Sequence, residues 1–135
     1  MNGPIKDLVK APMKNQPFPK RLSYSLQGIR TAWRLEASFR FQSLMAAAVV
    51  VLLITLRPAA IWWALLLLNC GLVLAAELFN TALEHALDHL HPELHPAIKV
   101  SKDCAAAAVL VFSLGAVGTF LAFLWSVFVR ISSPG

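Results

Sequence analysis

The sequence contains little charge. Of its 135 residues, 14% are charged and 58% are hydrophobic, whereas a soluble domain carries about 25% charged residues. The deficit is concentrated in three runs that contain no charged residue: 41–56, 58–76 and 104–129. The polar residues that remain are too few to cover a soluble domain, so the composition excludes an ordinary soluble protein.

Cysteine is also scarce. Cys70 lies in the middle of the second uncharged run and Cys104 at the start of the third. One cysteine lies in the middle of its run and the other at the end of its run, so the two are not expected to come close enough to form a disulfide. Neither has the spacing of a metal ligand. We therefore interpret both as small apolar residues within helices.

The three uncharged runs have the lengths of membrane-spanning helices, which need roughly 20 apolar residues. The first run is slightly short, but Arg40 and Arg57 at its two ends can extend their side chains to the membrane–water interfaces. We predict an all-α integral membrane protein, with spans at about 41–57, 60–82 and 104–129.

The spans are joined and preceded by polar segments. No residue interrupts the second helix before His91-Pro92, so it should extend beyond the hydrocarbon, and Ser101 is a candidate N-cap for the third helix. Residues 1–20 are rich in Pro and Lys, which predicts a mobile cytoplasmic tail. Residues 21–40 alternate apolar and basic side chains at helical spacing, typical of an amphipathic helix in the membrane interface. Residues 21–135 then form a single membrane domain.

The basic residues predict the orientation. Of the 12 Lys and Arg residues, all but Arg57 and Arg130 lie before the first span or between the second and third. By the positive-inside rule, the N-terminus is cytoplasmic and the C-terminus is not. The positive net charge favours anionic lipid headgroups as partners and not nucleic acid.

Polar residues appear where the second uncharged run ends. Glu77, Asn80 and Glu84 are spaced so that they share one helix face, and an ionisable group at a membrane edge usually has a function. Close carboxylates are tolerated when a cation lies between them, and oxygen ligands favour Mg²⁺.

Asp88 continues the acidic stripe that Glu77, Asn80 and Glu84 form on this helix face, and we interpret Asp88 as solvated. His85 and His89 alone do not supply the converging ligands of a zinc site.

Three motifs stand together at this membrane edge: Ala-Trp-Arg-Leu-Glu-Ala-Ser-Phe-Arg at 32–40, Glu-Leu-Phe-Asn-Thr-Ala-Leu-Glu at 77–84, and Lys-Asp at 102–103. In sequence and spacing they resemble the prokaryotic diacylglycerol kinase family of small trimeric membrane kinases. The likeness covers about residues 24–110.

The resemblance implies that the chain transfers the γ-phosphoryl group of ATP to diacylglycerol, giving phosphatidic acid, at the cytoplasmic face of the bacterial inner membrane. It implies a homotrimer with sites shared between protomers, Glu77 as general base, Glu36 and Glu84 as Mg²⁺ ligands, and Asn80 as a supporting residue. The residues implied around ATP are Tyr24, Glu36, Glu84, Glu93, His95, Lys102 and Asp103. Those implied along the lipid substrate are Arg30, Trp33, Ser38, Phe39, Arg40 and Glu77.

Three features depart from the family pattern. Cys104, Ala105 and Ala106 follow Lys-Asp where a Gly-Ser pair is frequent, Gln42 stands where relatives often carry an acid, and the 91–96 loop contains additional Pro and His residues. We expect none of them to contact the proposed base or metal ligands.

Other functions fit parts of the pattern. Undecaprenol kinases share the catalytic motifs, although the 32–40 motif favours the diacylglycerol branch. A cation-coupled transporter would place its acid near the bilayer midplane. Every acid in this sequence is instead predicted on the cytoplasmic side of the membrane or at its cytoplasmic edge. A non-catalytic assembly subunit would leave the acidic stripe and Lys102-Asp103 unexplained.

Overall fold

The computed structural model describes residues 16–90, 92–93 and 95–133. Within these residues the chain forms four helices and no strand. They are α1 (Phe18–Leu35), α2 (Ala37–Leu56), α3 (Ala60–Leu90) and α4 (Pro96–Ser132). The last three are each long and apolar enough to cross a membrane. This confirms the predicted all-α class with three spans.

The first helix, α1, begins earlier than predicted. The sequence predicts a tail up to residue 20, but α1 starts at Phe18 with Pro19 in its first turn. Proline is favoured there because the first N–H groups of a helix have no helical partner. Residues 1–15 of the predicted tail lie outside the described residues.

Glu36 separates α1 from α2. Its backbone is extended (φ −105°, ψ 117°), while its N–H bonds the Ala32 carbonyl and its own carbonyl accepts from the Arg40 N–H. The predicted interface helix over 21–40 is therefore divided, and α2 begins at Ala37 and not near 41. No glycine or proline marks the break, so the local sequence does not signal it.

Arg57 forms the turn between α2 and α3. It is left-handed (φ 44°, ψ 55°), and its N–H bonds the Leu53 carbonyl at 2.9 Å. From Ala60, α3 continues for 31 residues, a length of about 46 Å against a hydrocarbon core of about 30 Å. The predicted extension of this helix beyond the membrane therefore follows from its observed bounds.

The start of α4 differs from the prediction. The sequence predicts an N-cap at Ser101, and therefore a loop before it, whereas α4 begins at Pro96. His95 is the N-cap, because its Nδ1 accepts a hydrogen bond from Ala97 N at 3.2 Å. Ser101 lies inside the helix and donates to the Ala97 carbonyl. Pro96 was interpreted as a loop residue, but proline is equally compatible with a first helical turn.

The apolar core lies near the Arg57 turn. Leu53 of α2, Leu66 of α3 and Phe123 of α4 are buried against one another, and the Trp62 ring lies 5.5 Å from that of Phe123. Many other large apolar side chains on the spans are exposed. The core therefore fixes the three spans at one end, and the polar residues of α3 lie toward the other.

Candidate active site

Glu77 is buried although its side chain carries a carboxyl group. It lies on α3 at the end of the uncharged run, and only 4% of its surface is exposed. Val73 and Thr81, four residues before and after it, are also buried, so all three share the inward face of α3. A buried carboxylate is costly unless it is hydrogen-bonded.

Both carboxylate oxygens of Glu77 receive a hydrogen bond from α2. Ser38 Oγ donates to Oε1, and Gln42 Nε2 donates to Oε2 at 3.1 Å. Ser38 and Gln42 are four residues apart, so one face of α2 carries both donors. The expectation that the Gln42 departure would not contact the proposed base is therefore wrong, because this helical spacing points Gln42 at Glu77.

One turn further along α3, Asn80 Nδ2 donates to Glu84 Oε1 at 3.2 Å. The two residues share a face, as their spacing predicts. Asn80 holds one oxygen of Glu84 and leaves the other for a further ligand. This contact fits the supporting role predicted for Asn80, which stays a prediction.

Glu36 reaches α3 from the break between α1 and α2. Its Oε1 lies 3.8 Å from Nε2 of His85, and His85 is the residue next to Glu84 in the chain. Within the described part of the chain, no three His, Cys, Asp or Glu side chains converge on a metal position. Mg²⁺ does not require such a cage, because one or two carboxylates with phosphates and waters complete its shell. Glu36 and Glu84 fit that donor set.

Lys102, near the start of α4, forms an ion pair with the C-terminal part of α3. Its Nζ lies 2.7 Å from Asp88 Oδ1. The hydrogen bond to Asp88, supported by the charge of Glu84, raises the pKa of Lys102 above its usual value, so its ammonium is charged at neutral pH. Asp88, interpreted as solvated, is exposed but paired. Asp103 pairs at 2.5 Å with Lys99 on its own helix.

The other residues predicted around ATP are not joined to Glu77 within the described residues. Tyr24 is exposed on α1, Glu93 is exposed between α3 and α4, and His95 caps α4. Their nucleotide roles stay predictions, and one chain alone does not assemble them around Glu77.

The residues predicted along the lipid substrate occupy different environments. Arg30 and Trp33 are exposed on α1, and Phe39 is buried. Arg40 donates to the carbonyls of Trp33 and Arg34 at 3.0 and 3.2 Å, so it caps the C-terminal end of α1. Ser38 contacts Glu77, the residue predicted as the base. The lipid-binding roles of these residues stay predictions.

Two residues near Glu77, Gln42 and Thr81, are not predicted as site residues from the sequence. Thr81 lies one turn from Glu77 on the same face of α3. Thr81 is 6% exposed, and no hydrogen bond to its Oγ1 forms within the described residues. The sequence signal for both is their spacing, because each lies four positions after a predicted site residue, Gln42 after Ser38 and Thr81 after Glu77.

Comparison with known proteins identifies the family. The profile of the prokaryotic diacylglycerol kinase family matches residues 23–124. The diacylglycerol kinase of Helicobacter pylori strain J99 is 36% identical over 86% of this chain and 89% of that protein. The diacylglycerol kinase of Escherichia coli K12 is 37% identical over 81% and 89%. The undecaprenol kinase of Bacillus subtilis 168 is 35% identical over 72% and 79%. The chain therefore belongs to the prokaryotic diacylglycerol kinase family and is a lipid kinase.

Proposed function

We propose that this protein phosphorylates diacylglycerol with ATP, giving phosphatidic acid and ADP, at the cytoplasmic face of a bacterial inner membrane. The observation that carries this proposal is Glu77, a buried carboxylate at the end of an apolar span with both oxygens hydrogen-bonded. Such a group, in a member of a lipid kinase family, lies where a lipid hydroxyl and aqueous ATP can meet.

In the proposed mechanism, Glu77 accepts the proton of the lipid hydroxyl as its oxygen attacks the γ-phosphorus. A new oxygen–phosphorus bond forms, the bond to the β–γ bridging oxygen breaks, and ADP leaves. Glu36 and Glu84 would hold Mg²⁺, which supplies positive charge to the phosphate oxygens. Positioning and electrostatic stabilisation supply most of the rate in such transfers.

The cation that this chain itself offers the phosphates is Lys102. Its ammonium pairs with Asp88, which lies one helical turn beyond Glu84 on α3, so Lys102 is close to one of the two proposed metal ligands. Tyr24, Glu93, His95 and Asp103 complete the proposed nucleotide set. Because the single chain does not join them to Glu77, we propose a homotrimer in which neighbouring protomers complete each site.

The proposed placement in the membrane follows the distribution of Lys and Arg. Residues 1–20 would be a cytoplasmic tail and residues 21–135 one membrane kinase domain, with α1 in the cytoplasmic interface. The H. pylori and E. coli relatives are named diacylglycerol kinases, which favours that substrate over the polyprenol of the B. subtilis relative.

The test is lipid phosphorylation by the full chain in mixed micelles. Wild-type protein and Glu77→Gln are given MgATP with labelled γ-phosphate, and diacylglycerol or undecaprenol is supplied separately. We expect label in phosphatidic acid with the wild type and essentially none with Glu77→Gln. Circular dichroism and thermal unfolding of the variant should resemble the wild type, because the amide can still accept a hydrogen bond.

Each alternative gives a different result. Label confined to undecaprenyl phosphate would keep the mechanism and change the substrate. No labelled lipid from either substrate would reject the enzymatic proposal in favour of a transporter or an assembly subunit. Wild-type turnover by Glu77→Gln would refute the assignment of the base.

A further inference from the structure

The hydrogen bonds to Glu77 come from two neutral side chains. Ser38 Oγ binds one carboxylate oxygen and Gln42 Nε2 binds the other, both from one face of α2. Two donors on separate oxygens fix the carboxylate plane, which one donor would not. In the described residues, Lys and Arg make no ion pair with Glu77.

Neutral partners suit a group that must gain a proton and lose it. A hydroxyl and a primary amide each contain both a donor and an acceptor. They can donate to ionised Glu77 and accept from its protonated form. Gln42 Oε1 is buried, and it has no partner among the described residues. Rotation of the amide would therefore bring to a protonated Glu77 the acceptor that it requires.

Charged partners at the same positions would act differently. A lysine or arginine would stabilise the ionised carboxylate and weaken it as a base. An acid at position 42 would repel ionised Glu77 or share one proton with it. The amide of Gln42 avoids both effects while it keeps the donor geometry.

We propose that Ser38 and Gln42 are positioning residues that hold Glu77 toward the lipid hydroxyl through the proton transfer. This inference rests on the proposed role of Glu77 as the base. Ser38 and Gln42 need not touch ATP or the metal, so their effect should appear in kcat and not in the affinity for MgATP.

The experiment measures kcat and both KM values for Ser38→Ala and Gln42→Met. These substitutions remove each donor and keep the remaining shape of the side chain as far as possible. We expect kcat to fall about 10-fold to 100-fold in each, the range that displacement of a reacting group produces. The KM for MgATP should not change, and Ser38→Thr should restore most of kcat because it keeps the hydroxyl.

A control variant separates positioning from general damage to α2. Ser43→Ala removes another hydroxyl from the same helix, outside the Glu77 cluster, and should keep wild-type kcat.

Several outcomes would overturn the inference. Unchanged kcat in Ser38→Ala and Gln42→Met, with an active wild type, would reject it and leave the proposed function intact. A rise in the KM for MgATP at constant kcat would place these residues in nucleotide binding instead. A wild-type protein that phosphorylates no lipid would reject the proposed function and this inference with it.

Discussion

At the scale of single residues, the contacts of Glu84 bear most directly on the proposed metal site. Asn80 occupies one oxygen of Glu84, and Glu36 approaches the same turn of α3 through His85. Carboxylates on two separate elements, Glu36 before α2 and Glu84 on α3, are therefore available to the proposed cation. A ligand set of this size depends on each member, because Mg²⁺ is held by one or two carboxylates.

We expect Glu84→Gln to raise the Mg²⁺ concentration needed for half-maximal activity by at least about 10-fold, the lower range seen when support for a metal site is lost. The amide keeps the shape of the side chain and removes its charge. A Mg²⁺ titration of lipid phosphorylation at saturating lipid measures the effect. An unchanged titration would remove Glu84 from the metal site, while a change confined to the lipid KM would assign it to the lipid.

At the scale of elements, two breaks in helical structure have different causes. The turn at Arg57 has a local cause, because Pro58 follows it and a residue before proline disfavours the helical conformation. The break at Glu36 has no such local signal, and it is stabilised by contacts across it, including Arg40 bound to the carbonyls of Trp33 and Arg34. Because this break begins α2 at Ala37, it sets which α2 residues face Glu77.

The left-handed backbone of Arg57 gives a prediction for the turn. A β-branched residue is disfavoured at positive φ, and glycine is not. Arg57→Val should therefore be less stable than Arg57→Gly by about 1–2 kcal/mol. Thermal unfolding of both variants in the same detergent measures the difference. Equal stability would show that the turn relaxes to another conformation when Arg57 is replaced.

At the scale of the whole molecule, one chain leaves the proposed site incomplete. Glu77, Ser38 and Gln42 contact one another, as do Asn80 and Glu84. Tyr24 is exposed on α1, and in the described residues no hydrogen bond joins it to either group. The spans also carry many exposed apolar side chains, which lipid or other protomers would cover.

Shared sites predict that two defective chains restore activity together. Tyr24→Ala should bind ATP weakly, and Glu77→Gln should lack the base. When the two are co-expressed with different tags and purified as a mixed oligomer, one site can receive an intact Tyr24 and an intact Glu77. At low ATP, activity should exceed the average of the pure variants. Activity equal to that average would indicate sites complete within one protomer.

The sequence by itself determined the spans, the bounds of α3, and the carboxylates at the membrane edge. These features follow from local chemistry: uncharged length, proline at the ends of helices, and residues one helical turn apart. The predicted start of α4 was wrong because local chemistry does not decide it: proline is compatible with both a loop and a first helical turn.

Only the tertiary structure decided which α2 residues contact Glu77. Ser38 and Gln42 are more than thirty residues from Glu77 in the chain, and their register depends on where α2 begins after Glu36. That register results from helix packing, which no single segment encodes. For this reason Gln42 is only an unusual residue in the sequence but a hydrogen-bond donor to the proposed base in the fold.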